Sequence, residues 1–282
     1  MKSSHGAGVL QLFDHQAISS IDALHEGVVF GAPHILRSDD QEGARASYPP
    51  TQTQSGVFET VSEVLYALRD AAKAHRSLYQ DAEILHQDIC PGNIMITSRD
   101  EQQQRAGPGP RGVLIDLHMA KKRTDLWRQF EGIGTPPFQA IGVLQAYLPN
   151  NPHTYRHDLE SFLYTFLFLA ICRWPIAPGL NQLQLPPTSA LNQWSQGRPV
   201  EQVRCKTHDM TAANFDRITA KFTPQFRSFV GLAKRLREIL FPVRDGKPWT
   251  GTDMREEGTN ALYDRVIGCF ERAVAELEGA NL

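Results

Sequence analysis

The clearest hydrophobic patterns in the chain predict helices. Apolar residues recur at intervals of three and four from Val57 to Tyr79, which predicts a long amphipathic helix. The run from Asp158 to Cys172 is apolar on every face after its first turn, so it predicts a helix that is buried all round. Two further helices are predicted at about residues 224–241 and 259–279.

Short β-type runs lie elsewhere in the chain. Residues 94–97 and 113–117 are predicted strands, and the polar segment between them, rich in Gly and Pro, predicts a hairpin connection. The short apolar runs at residues 9–13 and 28–30 are also compatible with strands. The patterns together predict a mixed fold of long helices and short strands.

Polar segments separate these elements. Residues 38–56 contain almost no apolar side chains and include a Pro-Pro pair, so they predict an exposed linker. Residues 119–140 are polar and irregular, and residues 174–210 are predicted to be rich in loops because prolines interrupt them.

Three polar residues next to the predicted strands form a pattern typical of phosphoryl transfer. Asp88 and Asn93 lie in the stretch ILHQDICPGNIMI, and Asp116 ends the apolar run VLID. A carboxylate in a catalytic loop can orient an attacking hydroxyl and accept its proton. Amide and carboxylate oxygens are the hard ligands that Mg²⁺ prefers. Taken singly, Asp88 and Asn93 are also compatible with ordinary turn residues.

Four motifs in the same order resemble the fungal-type protein kinase family of the protein kinase superfamily. They are ILHQDICPGNIMIT, GVLIDLHMAKK, GTPPFQAIGVL and YRHDLESFLYTFLFL. The resemblance is strong over residues 57–172. It implies an α+β, protein kinase-like fold, mainly the α-helical C-terminal lobe with a truncated β-rich N-terminal portion. Residues 57–282 are then the C-terminal lobe, and residues 1–56 are a remnant of the N-terminal lobe followed by the polar linker.

The resemblance also implies the chemistry, which is transfer of phosphate from ATP to a Ser or Thr of a protein substrate. Asp88 orients the acceptor hydroxyl, while Asn93 and Asp116 hold Mg²⁺ and, through it, the ATP phosphates. GTPPFQA is the substrate-docking end of an activation segment.

Three other residues are implied to support this site. His86 packs and hydrogen-bonds beneath the catalytic loop, and the hydroxyl of Thr135 bonds the catalytic aspartate. Asp158 opens the buried helix and accepts backbone amides of the catalytic loop. A plain helix cap is the alternative interpretation of Asp158.

Three positions depart from the family pattern. Gln87 stands where most regulated kinases have an arginine that clamps a phosphorylated activation loop, so this kind of switch is not expected. His118 adds bulk beside Asp116, which either tolerates or disturbs the aspartate. Gly142 replaces a glutamate that pairs with a distant arginine, and loss of one partner of a buried ion pair typically costs about 3–5 kcal/mol.

The first 56 residues depart most strongly. Their sole lysine is Lys2, and they contain no recognisable Gly-rich loop, strand lysine or partner glutamate. In kinases these parts cover and align the ATP phosphates. The GxGxxG spacing at residues 107–112 is not a substitute, because it precedes a strand and its prolines remove amide donors.

Three functions therefore stay open, with the protein kinase as the leading one. The second is a catalytically inactive, pseudokinase-like binding module or an incomplete kinase fragment, so enzymatic activity is uncertain. The third is a small-molecule kinase, which shares the H-x-D-x-x-x-x-N loop, although GTPPFQAIGVL counts against it.

Composition adds a few limits. The 29 basic and 31 acidic residues give a net charge of −2, which does not favour binding to nucleic acid or to a membrane surface. The four cysteines are scattered, which predicts free thiols in an intracellular protein, cytoplasmic or nuclear. No apolar run reaches the length of a signal core or a membrane span.

His153 and His157 have the spacing of metal ligands on a helix but lack a third ligand, so they predict no metal site.

Overall fold

The computed structural model describes residues 52–54, 58, 60–97, 111–123, 134–145, 152–172, 183 and 185–280. The strands predicted at residues 9–13 and 28–30, most of the predicted linker and most of the hairpin connection lie outside these residues. The described part is a mixture of helix and strand and is mostly helical, which is compatible with the predicted α+β class.

The helices are α1 (Val61–Asp81), α2 (Ile141–Leu144), α3 (Tyr155–Ile171), α4 (Pro199–Asp209), α5 (Ala212–Thr219), α6 (Val230–Leu240) and α7 (Glu256–Ala280). The strands are β1 (Gln52–Gln54), β2 (Ile84–Leu85), β3 (Ile94–Thr97), β4 (Gly112–Leu114), β5 (Lys121–Lys122), β6 (Val243–Arg244) and β7 (Lys247–Pro248). Short 3₁₀ turns cover residues 91–93, 190–195 and 224–229. None of the described helices is both long enough and apolar enough to cross a membrane.

Helix α1 confirms the long amphipathic helix predicted from the sequence, and its cap sets its first residue. The Thr60 side chain accepts a hydrogen bond from the Glu63 backbone N–H at 3.2 Å, and the Glu63 carboxylate accepts one from the Thr60 N–H at 3.2 Å. This capping box starts the helix at Val61. The apolar face of α1 packs against α7 and β4.

Helix α3 is the centre of the hydrophobic core. Every one of its side chains except Phe168 is buried, which confirms the helix predicted to be buried all round. It packs against α1, α2, α6 and α7. Phe166, for example, makes edge contacts with the rings of Phe222, Phe226 and Phe270. Burial of one such side chain contributes about 1.5–3 kcal/mol.

Two small sheets carry the polar loops. β3 lies between β1 and β4, and both pairings are antiparallel, with Ile94 opposite Leu114. β2 pairs with β5. The predicted hairpin is therefore present, but β4 ends at Leu114, before the predicted end of the strand. Residues 52–54 form a strand where the sequence predicted a linker, because a ladder of backbone hydrogen bonds requires no apolar signal.

The region predicted to be rich in loops contains a helix that the sequence pattern missed. Pro199 occupies the first turn of α4, where a backbone N–H would have no partner within the helix. A proline at this position therefore starts the helix and does not break it. The helix predicted at residues 224–241 is present as a 3₁₀ turn followed by α6, and α7 confirms the last predicted helix.

Candidate active site

His86 joins the two loops that carry the candidate acidic residues. Its Nδ1 atom accepts a hydrogen bond from the Asp88 backbone N–H at 3.3 Å, and its Nε2 atom lies 2.9 Å from the Ile115 carbonyl oxygen. Because Nδ1 is the acceptor, the proton of the neutral imidazole lies on Nε2. Burial lowers the pKa of His86 more than the charge of Asp158 raises it, which favours this neutral form. His86 therefore holds the backbone before Asp116 against the backbone of Asp88.

Asn93 joins the same two loops by separate contacts. Its side-chain nitrogen donates to the Asp88 carbonyl oxygen at 2.8 Å and to Asp88 Oδ2 at 3.1 Å. Its backbone carbonyl oxygen accepts from the Ile115 N–H at 2.9 Å. Asp88 is 9% exposed and Asn93 is 8% exposed. The amide nitrogen only donates hydrogen bonds, so Oδ1 is the atom of this side chain that can bind a cation.

Asp116 follows this junction directly, and its carboxylate is accessible. Its backbone φ of 66° lies in the left-handed region, so the chain turns away from the direction of β4. The side chain is 41% exposed. His118 Nδ1 contacts Asp116 Oδ1, and the His118 backbone N–H donates to the same oxygen at 3.3 Å. The histidine predicted to lie beside this aspartate therefore occupies one of the two carboxylate oxygens.

The structure thus brings Asp88 and Asn93 into contact and places Asp116 beside them through Ile115. Amide and carboxylate oxygens suit Mg²⁺, so the donors fit the metal predicted from the sequence. Within the described residues no three His, Cys, Asp or Glu side chains are arranged to hold a metal ion. A magnesium ion at this place would therefore need phosphate or water oxygens in addition, as is usual for this metal.

Asp158 supports the catalytic loop from inside the core. Its Oδ2 atom accepts hydrogen bonds from the His86 N–H at 3.1 Å and the Gln87 N–H at 3.3 Å, and lies 2.8 Å from His75 Nε2. His153 Nε2 lies 2.7 Å from Oδ1. Burial alone would raise the pKa of Asp158, but the charge of His153 and the hydrogen bonds from His153 and His75 hold it well below 3.8. The buried carboxylate is therefore ionised and contacted on both oxygens.

A tyrosine on the last helix extends this network. The Tyr263 hydroxyl lies 2.9 Å from His75 Nδ1, and both side chains are fully buried. Burial raises the pKa of Tyr263 well above 10, so the hydroxyl keeps its proton and can donate it. No sequence pattern indicated this contact, because the two residues are far apart in the chain and each also fits an apolar helix face.

Residues 134–141, which cover GTPPFQA and the following Ile141, meet the catalytic loop at Asp88. The Thr135 backbone N–H donates to Asp88 Oδ1 at 2.7 Å. This contact is made by the backbone of Thr135, and the role that the resemblance implies for its hydroxyl stays a prediction. Burial raises the pKa of Cys90 to about 12, so this cysteine is a thiol and not a nucleophile. All four cysteines are free, as predicted.

Glu160 anchors the end of this segment, next to Gly142. Its Oε1 atom accepts from the Ile141 N–H at 2.7 Å, and its Oε2 atom accepts from Arg156 at 2.7 Å. Both partners of this ion pair are buried. A Cβ atom at position 142 would collide with the imidazole of His157. The end of the segment is thus held by a carboxylate of helix α3, beside a position that has no room for a side chain.

His153 and His157 have separate partners. His153 lies on the Asp158 carboxylate, while His157 Nδ1 accepts from the Thr154 N–H at 3.0 Å. Burial lowers the pKa of His157 well below 6.5, which keeps it neutral. Each ring is used inside the protein, and neither use requires a metal.

Sequence reasoning also missed Lys206. This lysine on α4 is fully buried and donates to backbone carbonyl groups of residues 134–141. Its position in a region rich in prolines gave no indication of this contact.

The arrangement of Asp88, Asn93 and Asp116 is typical of kinases. It consists of a buried loop aspartate, an amide five residues later and an aspartate after the next β-type run. Residues 53–172 match the family model of fungal protein kinases. This match confirms, over that segment, the family that the four motifs indicated, although the segment is less than half of the 282 residues. No curated protein matches the chain. The family match supports a kinase-related function.

Replacement of Asp158 by Asn should destabilise the protein. Removal of one charge from a buried, hydrogen-bonded group typically costs about 3–5 kcal/mol. The exposed Asp81, at the end of α1, is the matched control, and Asp81→Asn should change the free energy of unfolding by less than about 0.5 kcal/mol. Urea unfolding at pH 7 measures both.

The pH dependence offers a second check on Asp158. A carboxyl group whose folded pKa is lowered stabilises the protein above its unfolded pKa of about 3.8, and that stability disappears as the pH falls through the folded value. The stability difference between wild type and Asp158→Asn should therefore shrink below about pH 4. A difference that stays constant down to pH 2 would contradict the assignment.

Replacement of Gly142 by Ala should also destabilise the protein. The added methyl group meets the His157 ring, and forced overpacking of this kind costs about 1–3 kcal/mol. Gly279 is the matched control, because it lies in helix α7 with nothing within 4 Å of an added Cβ. Gly279→Ala should be neutral or stabilising by up to about 1 kcal/mol. Equal melting temperatures for the two variants would contradict the close contact at residue 142.

Proposed function

We propose that the chain is a protein kinase-like Ser/Thr phosphotransferase that uses Mg–ATP, with the fold of a kinase C-terminal lobe. The family match supports this proposal. The observation that carries it is the double attachment of Ile115, whose carbonyl oxygen faces His86 and whose N–H donates to Asn93. This attachment brings Asp116 to the loop that holds Asp88.

Asp88 is suited to orient the acceptor hydroxyl. Its Oδ1 atom accepts from the Thr135 N–H at 2.7 Å, and its Oδ2 atom accepts from Asn93 at 3.1 Å. These two contacts fix the plane of the carboxylate and leave acceptor capacity on each oxygen. A serine or threonine hydroxyl that donates to Asp88 is aligned for attack on phosphorus. It can pass its proton to the carboxylate as the new bond forms.

Asn93 Oδ1 and the Asp116 carboxylate are the groups that would hold magnesium and, through it, ATP. The metal would neutralise the charge of the phosphate oxygens. Since Asp116 is 41% exposed, a nucleotide can reach it without rearrangement of the core. His118 has to share the carboxylate or turn away from it when the cation binds.

A binding module without catalysis is the second candidate. It is favoured by the contact between His118 and Asp116, which occupies a carboxylate oxygen that the metal would use. Residues 1–56 also contain a single lysine, Lys2. Such a module would still bind a nucleotide or a protein partner but would not transfer phosphate.

Two aspartate substitutions separate nucleotide binding from transfer. Mg–ATP at about 100 times its dissociation constant should stabilise the wild type by about 2.7 kcal/mol. Asp116→Asn should lose most of this stabilisation, because it removes the charged ligand. Asp88→Asn should keep it but lower phosphate transfer by at least about 100-fold. Thermal unfolding with and without Mg–ATP, together with a transfer assay, measures both effects.

Asp81→Asn, on the surface of α1, is the control for these substitutions and should behave as wild type in both measurements. No stabilisation of the wild type by Mg–ATP, or equal stabilisation of wild type and Asp116→Asn, would contradict the proposed nucleotide site. Stabilisation without any transfer would favour the binding module.

The acceptor should be a protein. Residues 134–141 lie on Asp88 as a segment that can dock a peptide, and this segment counts against a small-molecule acceptor. Labelled ATP should therefore transfer phosphate to serine or threonine of a protein mixture, and not to an aminoglycoside or choline. Transfer to the small molecules alone would support the small-molecule kinase.

A further inference from the structure

Lys206 on α4 is a buried cation that the proposed reaction does not use. Its exposed fraction is 0%. Its Nζ atom donates to the Pro137 carbonyl oxygen at 2.6 Å and also to the Gln139 carbonyl oxygen. A buried ammonium group is costly unless its N–H groups find acceptors. The two carbonyl groups are therefore partners that the lysine requires.

Two aromatic rings form the rest of its surroundings. The Nζ atom lies 4.3 Å from the Tyr164 ring centroid and 5.3 Å from the Trp194 ring centroid. The Tyr164 hydroxyl donates to Glu160 at 2.6 Å, and Trp194 Nε1 donates to Asp209 at 2.9 Å. Aromatic faces attract a cation, and here each ring is fixed by its own hydrogen bond. Lys206 therefore lies in a rigid cage.

The bonded carbonyl groups belong to residues 134–141, which we call the docking segment. Its sequence, GTPPFQAI, contains no charged side chain. The strongest polar contacts available to charged side chains elsewhere are therefore with its backbone carbonyl and N–H groups. The carbonyl of Phe138, between the two residues that Lys206 contacts, accepts from Ser161 Oγ at 2.8 Å. Three consecutive carbonyl groups are thus held by side chains, and Lys206 supplies two of the contacts.

We propose that Lys206 is a positioning residue for the peptide substrate, because it fixes the docking segment that lies beside Asp88. The inference rests on the proposed function, since a peptide is bound here only if the chain is a protein kinase. Lys206 lies outside the residues that match the kinase family model.

The charge on Lys206 makes this positioning dependent on pH. Burial lowers the pKa of Lys206 to about 7, although the charge of Glu160 raises it. Tyr164 faces the ammonium group, and burial raises its pKa well above 10, while Arg156 is bonded to Glu160 and Asp209 to Trp194. A pKa below that of an exposed lysine means that the enclosed site favours the neutral amine over the ammonium group, relative to water. Because loosening of the docking segment would expose the amine to water, the segment should be held more firmly as the pH rises through about 7.

Lys206→Met tests the proposal, with the exposed Lys221→Met as the matched control. The probe is a peptide library with a fixed serine or threonine acceptor. Lys206→Met should raise the peptide KM about tenfold and leave kcat and the KM for ATP within about twofold. Between pH 6 and 8 the wild-type peptide KM should fall, while that of Lys206→Met should stay flat. A peptide KM equal to that of Lys221→Met, or an equal change of both KM values, would overturn the proposal.

Hydrogen exchange provides a readout that does not require activity. The amides of Phe138 and Ile141 are hydrogen-bonded at 2.8 Å and 2.7 Å within the docking segment and to Glu160. In Lys206→Met they should exchange at least about tenfold faster, with the amides of α1 unchanged. The exchange rates in Lys206→Gln, which keeps a neutral donor, should lie between those of the wild type and those of Lys206→Met. Lys206→Gln also tests the proposal if Lys206→Met does not fold.

The two proposals fail in different ways. Unchanged exchange of Phe138 and Ile141 in both Lys206 variants would overturn the role of Lys206, whether or not the wild type transfers phosphate. Faster exchange together with an absence of Mg–ATP binding by the wild type would overturn the kinase proposal and leave a structural role for Lys206.

Discussion

A single buried carboxylate, that of Asp158, determines how the loop that carries Asp88 is held. An isolated charge in the core would be prohibitively costly, so its hydrogen bonds are required for folding. Two of its four donors are successive backbone amides, those of His86 and Gln87. Hydrogen bonds to an ionised acceptor are stronger than neutral ones, and here they hold Gln87 at a φ of 68°. Such a backbone costs about 1–3 kcal/mol and persists only where its surroundings enforce it.

The candidate site follows from this anchor in a definite order. Helix α3 fixes Asp158, Asp158 fixes the start of the loop, and His86 passes the constraint on to Ile115. Strand pairing between β3 and β4 then aligns Asn93 with the same residue. The close approach at Gly134 belongs to this arrangement, since its φ is 107° and a Cβ there would lie 2.9 Å from the Gln87 carbonyl oxygen. The geometry of the candidate site is thus set from the core outward.

Much of this arrangement was predictable, because it is encoded locally. The helical period of α1 and the apolar run of α3 required only short-range patterns, and Asp88, Asn93 and Asp116 stand at family spacings. The features that were missed depend on contacts distant in sequence. The Glu160 carboxylate lies in the motif YRHDLESFLYTFLFL, but its contact with the Ile141 N–H could not be predicted from that motif, because the two residues are distant in sequence.

Lys206 and β1 show the same limit. A lysine in a helix normally faces water, so no pattern distinguishes one that is enclosed by aromatic rings and backbone carbonyl groups. Residues 52–54 form a strand through their backbone, and hydrophobic periodicity cannot report such a strand. The prolines of residues 174–210 indicated loops, although Pro199 in fact starts a helix. Sequence patterns therefore predicted the elements better than the polar contacts between them.

The residues beyond the family match are physically part of the candidate site. Tyr263 reaches His75 and thereby Asp158, the Leu240 carbonyl oxygen accepts from Arg156 at 2.5 Å, and Lys206 holds the docking segment. Without these groups Arg156 would lose a buried acceptor, and buried polar groups without partners are expensive. Residues 53–172 contain the side chains of the candidate site, but contacts from α4, α6 and α7 help to hold them. The loop that carries Asp88 and the C-terminal helices should therefore be regarded as one unit.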